Sequence, residues 1–151
     1  MNNKLLNAIP DMTVLLSALL AVVLNMLFPS PVVVTPPFTA IGWALALGGF
    51  IIAVRMLALL RAGGGSSDVT GRSAAFVATG PYRISRNPFY LCYVVTVLGV
   101  AIGLGSLAAF AAPLACFCVL NFVIIPLEER NLHRQFGDRY ATYMRTVRRW
   151  L

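Results

Sequence analysis

Apolar residues in this chain fall in long unbroken runs rather than in alternating or one-sided patterns. Residues 12–28, 38–54 and 89–127 carry no charge at all. A membrane-crossing helix needs about 20 residues, so the third run holds two crossings. Its break falls at Gly103-Leu104-Gly105-Ser106, where turn formers cluster. The pattern predicts an all-α integral membrane bundle, a single domain of four transmembrane helices at residues 12–28, 38–60, 88–103 and 107–127. Pro29-Ser30-Pro31 stops the first helix, and Thr35 followed by Pro36 reads as a cap and first position for the second. Beyond Leu127 the pattern changes. Leu132, Phe136, Tyr140, Tyr143, Val147 and Trp150 share one side of a helix and arginines fill most of the rest, which predicts a C-terminal amphipathic cytoplasmic helix over 128–151 lying at the interface.

Composition agrees with this reading. The chain is 59% hydrophobic and 11% charged, with a mean hydropathy of +0.81, too apolar for a water-soluble domain of 151 residues. The net charge of +7 matters through its distribution. Arg55, Arg61, Arg72, Arg83 and Arg86 follow or end the second span, Lys4 precedes the first, and six arginines lie from Arg130 onward. The other two loops carry no basic residue. The positive-inside rule therefore places both termini and the central loop, 62–87, in the cytoplasm. The same rule accounts for the basicity without nucleic acid as a partner. Cys92, Cys116 and Cys118 all fall within spans and read as small buried apolar residues, with neither a disulfide framework nor a metal site implied. Lys4 and the run after it have the outline of a signal peptide, but no small-residue cleavage site follows, and the first helix is expected to be retained. Gly63-Gly64-Gly65-Ser66-Ser67 reads as a flexible linker, since no Gly-Lys-Ser/Thr follows it.

Two polar stretches are candidates for chemistry. Residues 80–90, Gly-Pro-Tyr-Arg-Ile-Ser-Arg-Asn-Pro-Phe-Tyr, hold two prolines, two arginines and two tyrosines, and predict a shaped turn that opens a helix at Pro88. Glu128 and Glu129 follow Pro126 at the start of the tail. As acids in a first helical turn they favour the macrodipole; alternatively they share one site with the arginine- and tyrosine-rich turn, at the cytoplasmic mouth of the bundle. Arg55 either snorkels to the headgroups or faces inward to bind a substrate or cofactor carboxylate. Arg55 and Tyr140 are the candidate substrate contacts.

The 80–90 stretch, followed some forty residues later by Glu128-Glu129-x-x-Leu132-x-x-x-Phe136-Gly137-x-x-Tyr140-x-x-Tyr143-x-x-x-Val147, resembles the isoprenylcysteine carboxyl methyltransferase family, within the wider phospholipid methyltransferase-like group. The resemblance covers residues 77–151. It implies an integral membrane enzyme that uses S-adenosylmethionine to methylate a carboxylate or amine on a lipid-like molecule arriving from the bilayer. By the same resemblance Tyr82, Arg86, Asn87, Pro88, Phe89 and Tyr90 line the cofactor site and Glu128 holds cofactor hydroxyl or amino groups. Phe76 and Val77 close the pocket, and Arg86 and Glu128 are the candidate catalytic residues. Members often have His where this chain has Asn87, and the eukaryotic enzymes have Arg where it has Ile124. The second departure argues against prenylcysteine itself as acceptor. A carboxylate nucleophile needs no general base, which favours a carboxyl O-methyltransferase over a phospholipid or amine N-methyltransferase. Two other readings stand beside these: an NADPH-dependent membrane reductase, against which the Glu128 charge weighs, and a non-catalytic transporter or membrane subunit, against which the scarcity of ionisable groups within the spans weighs.

Overall fold

The structure, a computed structural model, describes residues 9–63 and 77–151. Its elements are α1 (Ile9–Leu27), α2 (Phe38–Ala62), a 3-10 turn (Gly80–Arg83) and α3 (Pro88–Leu104). A second 3-10 turn (Leu107–Phe110), α4 (Ala111–Val119), a π turn (Leu120–Ile124), α5 (Ile125–Phe136) and α6 (Asp138–Thr146) complete it. Among the described residues there is no β-sheet, only two isolated bridges.

Three stretches are long and apolar enough to cross a membrane: α1, α2 and the 30-residue rod Leu107–Phe136. Their outward side chains suit lipid rather than water. Leu15, Leu19 and Met26 on α1 and Ile41 and Leu47 on α2 are all more than half exposed, an apolar surface far larger than a soluble monomer carries. The fourth apolar helix, α3, has 17 residues and lies against α2 along most of its length.

That close packing has a specific cause. Gly42, Ala46, Gly49 and Ala53 line one edge of α2, and Thr96, Gly99 and Gly103 line the facing edge of α3, so that backbone meets backbone. A Cβ placed on Gly99 would sit 2.4 Å from the Ala46 amide nitrogen, and one on Gly42 would sit 2.4 Å from the Gly103 nitrogen. In lipid, where burial of apolar surface gives little drive, this close approach of small residues is what holds helices together.

At the end of the bundle away from residues 80–90, the two uncharged loops are tied to each other. The amides of Val33 and Val34 donate to Gly105 O at 2.8 and 3.1 Å, Leu107 N donates to Pro31 O at 3.0 Å, and Ala108 N donates to Ser30 Oγ at 3.1 Å. Gly105 ends α3 with φ +74°, a left-handed cap that suits glycine.

Two sequence expectations are corrected. The second helix begins at Phe38, where its predicted span begins, but Thr35 and Pro36 are not its cap and first position, because Thr35-Pro36-Pro37 is taken up in a turn closed by Phe38 N donating to Thr35 O at 3.0 Å. The tail over 128–151 is not one helix. α5 continues the last apolar rod, Gly137 (φ +51°) ends it, α6 starts afresh, and residues 147–151 leave helical geometry, with Val147 extended. The helical stripe expected to run through to Trp150 is therefore broken twice.

Candidate functional site

The charged end of the bundle is assembled from three segments: the turn before α3, the first turns of α5, and α6 with the strand-like tail that follows it. Pro88 opens α3 at its first position, as its fixed φ and missing N–H favour. The Gly80–Arg83 turn ahead of it is closed by Tyr82 N donating to Thr79 O and Ile84 N to Pro81 O. Tyr82, Ser85, Asn87, Pro88, Phe89 and Tyr90 are all buried as a result.

The tail folds back onto this turn and pairs with it in parallel at Ser85 and Arg148. Arg86 N donates to Arg148 O at 2.9 Å, Asn87 Nδ2 to Arg149 O at 2.9 Å and Ser85 Oγ to Arg149 O at 3.3 Å. Tyr143 Oη donates to Tyr82 O at 2.6 Å. Glu129 is the hub of the charged contacts. Its Oε1 accepts from Arg86 Nη2 at 2.8 Å and its Oε2 from Arg149 Nη2 at 2.6 Å. The Arg86–Glu129 pair is only 12–13% exposed. Arg86 Nη1 completes the clasp by donating to Met144 O at 2.9 Å and Val147 O at 3.1 Å, carbonyls that the end of α6 leaves without intrahelical partners. Lower down, Trp150 Nε1 donates to Asn121 Oδ1 at 3.0 Å, and the Trp150 ring packs tilted against Phe117 with centroids 5.1 Å apart.

Glu128 faces a different way. Its carboxylate lies against the Tyr90 hydroxyl and within electrostatic reach of Tyr82. Tyr140 lies near both carboxylates, and its ring stands 6.0 Å from that of Tyr143. Burial, with the Glu128 charge adding to it, pushes the Tyr82 phenol well above its ordinary range. Burial and the two carboxylates do the same for Tyr140, against the pull of Arg86. Tyr143 is pushed up to about 12 by burial, with Arg86 opposing. These phenols are protonated and neutral near neutral pH. Beneath them Phe89 packs at 4.4 Å on Tyr93, whose hydroxyl donates to the Asp11 carboxylate.

The residues expected from the sequence are thus only partly brought together. Tyr82, Tyr90, Glu128 and Tyr140 converge. Arg86 and Asn87 sit beside them but spend their side chains on Glu129 and the tail, because the tail's carbonyls arrive within reach of both. Val77 packs against Gly63 at the end of α2; Phe76 lies outside the described residues. Arg55 is exposed on α2 and does not join the cluster. Sequence reasoning passed over Asn121 and Arg149, and gave Ser85 and Trp150 no contact with the turn or the rod. Asn121 did carry a signal, being the one side-chain amide in the uncharged run 89–127. Among the described residues no group of three or more His, Cys, Asp or Glu could share a metal ion.

Comparison with known proteins bears on this end of the molecule. A family model for phospholipid methyltransferase matches residues 37–139. The chain is 32% identical over 78 residues to the cobalt-zinc-cadmium resistance protein CzcN of Cupriavidus metallidurans, covering 51% of this chain and 36% of that protein. It is 33% identical over 76 residues to the nickel-cobalt-cadmium resistance protein NccN of Alcaligenes xylosoxydans xylosoxydans, covering 48% and 36%. An uncharacterized protein of Haemophilus influenzae is 36% identical over 62 residues, covering 41% of this chain and 98% of that one. The matched part thus spans about a third of the two resistance proteins. No solved structure matches.

Proposed function

The chain belongs to the phospholipid methyltransferase family, and from that premise we propose that it is an S-adenosylmethionine-dependent membrane methyltransferase acting on a lipid-like acceptor at the cytoplasmic end of its bundle. One observation carries this reading. Tyr82 and Tyr90, from the turn and the start of α3, meet Glu128 and Tyr140 from elements some forty residues further along the chain, at one mouth of an otherwise apolar bundle.

The donor set suits the cofactor. A carboxylate ringed by phenols offers an anion and aromatic faces, and a sulfonium cation carrying hydroxyl and amino groups is favoured by both. When bound, S-adenosylmethionine supplies an activated methyl group. Glu128 would hold the cofactor's hydroxyl or amino groups, Tyr82 and Tyr90 would wall the site, and Val77 would close it from the side of α2. Arg86 and Asn87 act here as positioning residues. By fixing the tail they fix Tyr140 and Tyr143, and they keep the mouth narrow. A site of this kind works mainly by alignment of the acceptor with the methyl group, and by shutting out water.

The acceptor we favour is a carboxylate on an apolar molecule. It is already ionised at neutral pH, so it makes no demand for a base on a site whose phenols are locked in the protonated form. The family's own description points to a second acceptor, a phospholipid; were the methyl group to go to an amine on its headgroup, the amine's proton would pass to Glu128. Titration of the detergent-purified protein with S-adenosylhomocysteine, with NADPH in parallel, tests the cofactor. Binding of the first alone is expected, and binding of NADPH alone would overturn the methyltransferase reading. Membranes incubated with radiolabelled methyl donor then distinguish the acceptors, because a methyl ester releases methanol in alkali and an N-methyl group does not.

A further inference from the structure

On the other side of α5 from Glu128 the structure contains an open groove of about 450 Å³, lined by Pro126, Glu129, Arg130, His133, Arg134, Met144 and Arg149. At about 100° per residue, Pro126, Arg130 and His133 share one helix face, and Glu128 projects roughly 160–200° away from the first two. The groove therefore opens on a different face of α5 from Glu128, with Glu129 forming the wall between the two. We infer that this groove is a binding site for the headgroup of an anionic phospholipid, distinct from the site of methyl transfer.

Charge is the first argument. Arg130, Arg134 and Arg149 bring three positive charges to the lining against the one carboxylate of Glu129. Glu129 is already engaged through both oxygens, by Arg149 in the groove wall and by Arg86 behind it. No ion pair among the described residues engages Arg130 or Arg134, and both are exposed. These two guanidinium groups stand one turn apart on α5 and suit a phosphate, which accepts paired N–H donors, while Arg149, already donating to Glu129 and Asn121, adds its charge to the wall. The volume falls within the range of small-ligand sites and exceeds what a bare anion fills.

Position is the second argument, and it selects a lipid over a soluble anion. The groove begins at Pro126, where the apolar rod gives way to charged residues. Phe122, one turn earlier on the same rod, is 70% exposed, and Val123 is 53% exposed. A phospholipid seated with its phosphate among Arg130, Arg134 and Arg149 would lay an acyl chain along these side chains. A soluble phosphate compound would leave that surface uncovered.

The test uses the full chain in detergent and counts bound lipid by native mass spectrometry, a readout independent of methyl transfer. Dioctanoyl phosphatidylglycerol is expected to bind about tenfold or more tightly than dioctanoyl phosphatidylcholine, on the scale that two or three nearby arginines give for anionic lipid. The R130Q/R134Q variant is expected to lose this preference, while R139Q/R145Q, which removes the same charge from exposed positions on α6 outside the groove, keeps it. Equal binding of the two lipids would overturn the proposal, as would equal weakening by both variants, which would make the attraction diffuse. Displacement of phosphatidylglycerol by an equal concentration of inorganic phosphate would assign the groove to a soluble anion and overturn the lipid assignment.

Discussion

The two ends of the bundle are held by different means. At the uncharged end the loops meet through backbone groups, Val33 and Val34 on Gly105 and Leu107 on Pro31, and just inside it α2 and α3 touch where both are reduced to glycine. At the charged end a single backbone pairing, Ser85 with Arg148, is joined by many side-chain contacts, above all by one carboxylate shared between two arginines. The first arrangement leaves no room for a Cβ on Gly42 or Gly99 unless backbone shifts. The second gathers charged groups at one end, where the proposed cofactor site lies.

Breaking the hub should do the most damage. Glu129→Ala leaves Arg86 buried without its anion, and losing one partner of a buried pair costs about 3–5 kcal/mol. The expected outcome is a lowered thermal midpoint and rapid proteolysis of the tail, read by mass spectrometry. Glu128→Gln, one residue earlier, should leave the thermal midpoint nearly unchanged and weaken S-adenosylhomocysteine binding about 10- to 100-fold, the scale of a lost hydrogen bond to a charged group. Unchanged binding in a calorimetric titration would remove Glu128 from the site. At the other kind of contact, Gly99→Ala places a methyl group against the Ala46 backbone and should cost about 1–3 kcal/mol by overpacking. Cofactor binding per folded molecule should stay intact, so a fall in its affinity would show that the seam and the mouth are coupled.

Alkaline pH separates the two ends more gently. The folded protein holds the Tyr143 proton more tightly than the unfolded chain does, so its contribution is full below pH 10 and is lost as the pH rises towards about 12. Tail protection from proteolysis should fall in that window, while helix content read by far-ultraviolet circular dichroism should not change. The smallest effect is expected from Arg55→Ala. Its side chain is exposed on α2, so turnover should match that of the parent protein, and a clear loss would put Arg55 back among the substrate contacts.

Much of this was legible in the sequence because membranes make long apolar runs unambiguous. The runs gave the helices, Gly103 to Ser106 gave the turn, and Pro88 gave the start of α3 to the residue. The tail was not legible in the same way. Leu132, Phe136, Tyr140, Tyr143, Val147 and Trp150 fit a single helix as a pattern, and the one glycine inside that pattern, Gly137, was outweighed by six apolar residues. The roles of Arg86 and Asn87 were hidden for another reason. Their partners include backbone carbonyls of residues 144–149, and every residue has a carbonyl, so no pattern of side chains announces which ones will be presented. Tyr82, Tyr90 and Glu128 could be picked out because the two motifs that hold them, residues 80–90 and 128–147, resemble a family pattern at its spacing. The α2–α3 seam was also present, as Gly42, Ala46 and Gly49 facing Gly99 and Gly103, but small residues in a span signal contact without naming the partner.

The π turn at Leu120–Ile124 acts as an angular offset within the rod. Wider than an α-helical turn, it holds an additional residue just where Pro126 withholds an amide from the ladder. Were the same residues to run as plain α-helix instead, the additional residue would swing everything beyond it by about 100° relative to the membrane half. Glu128 would turn away from Tyr90, and Glu129 away from Arg86, with no side chain altered. The azimuth between the part that meets lipid and the part that meets water is set by that additional residue.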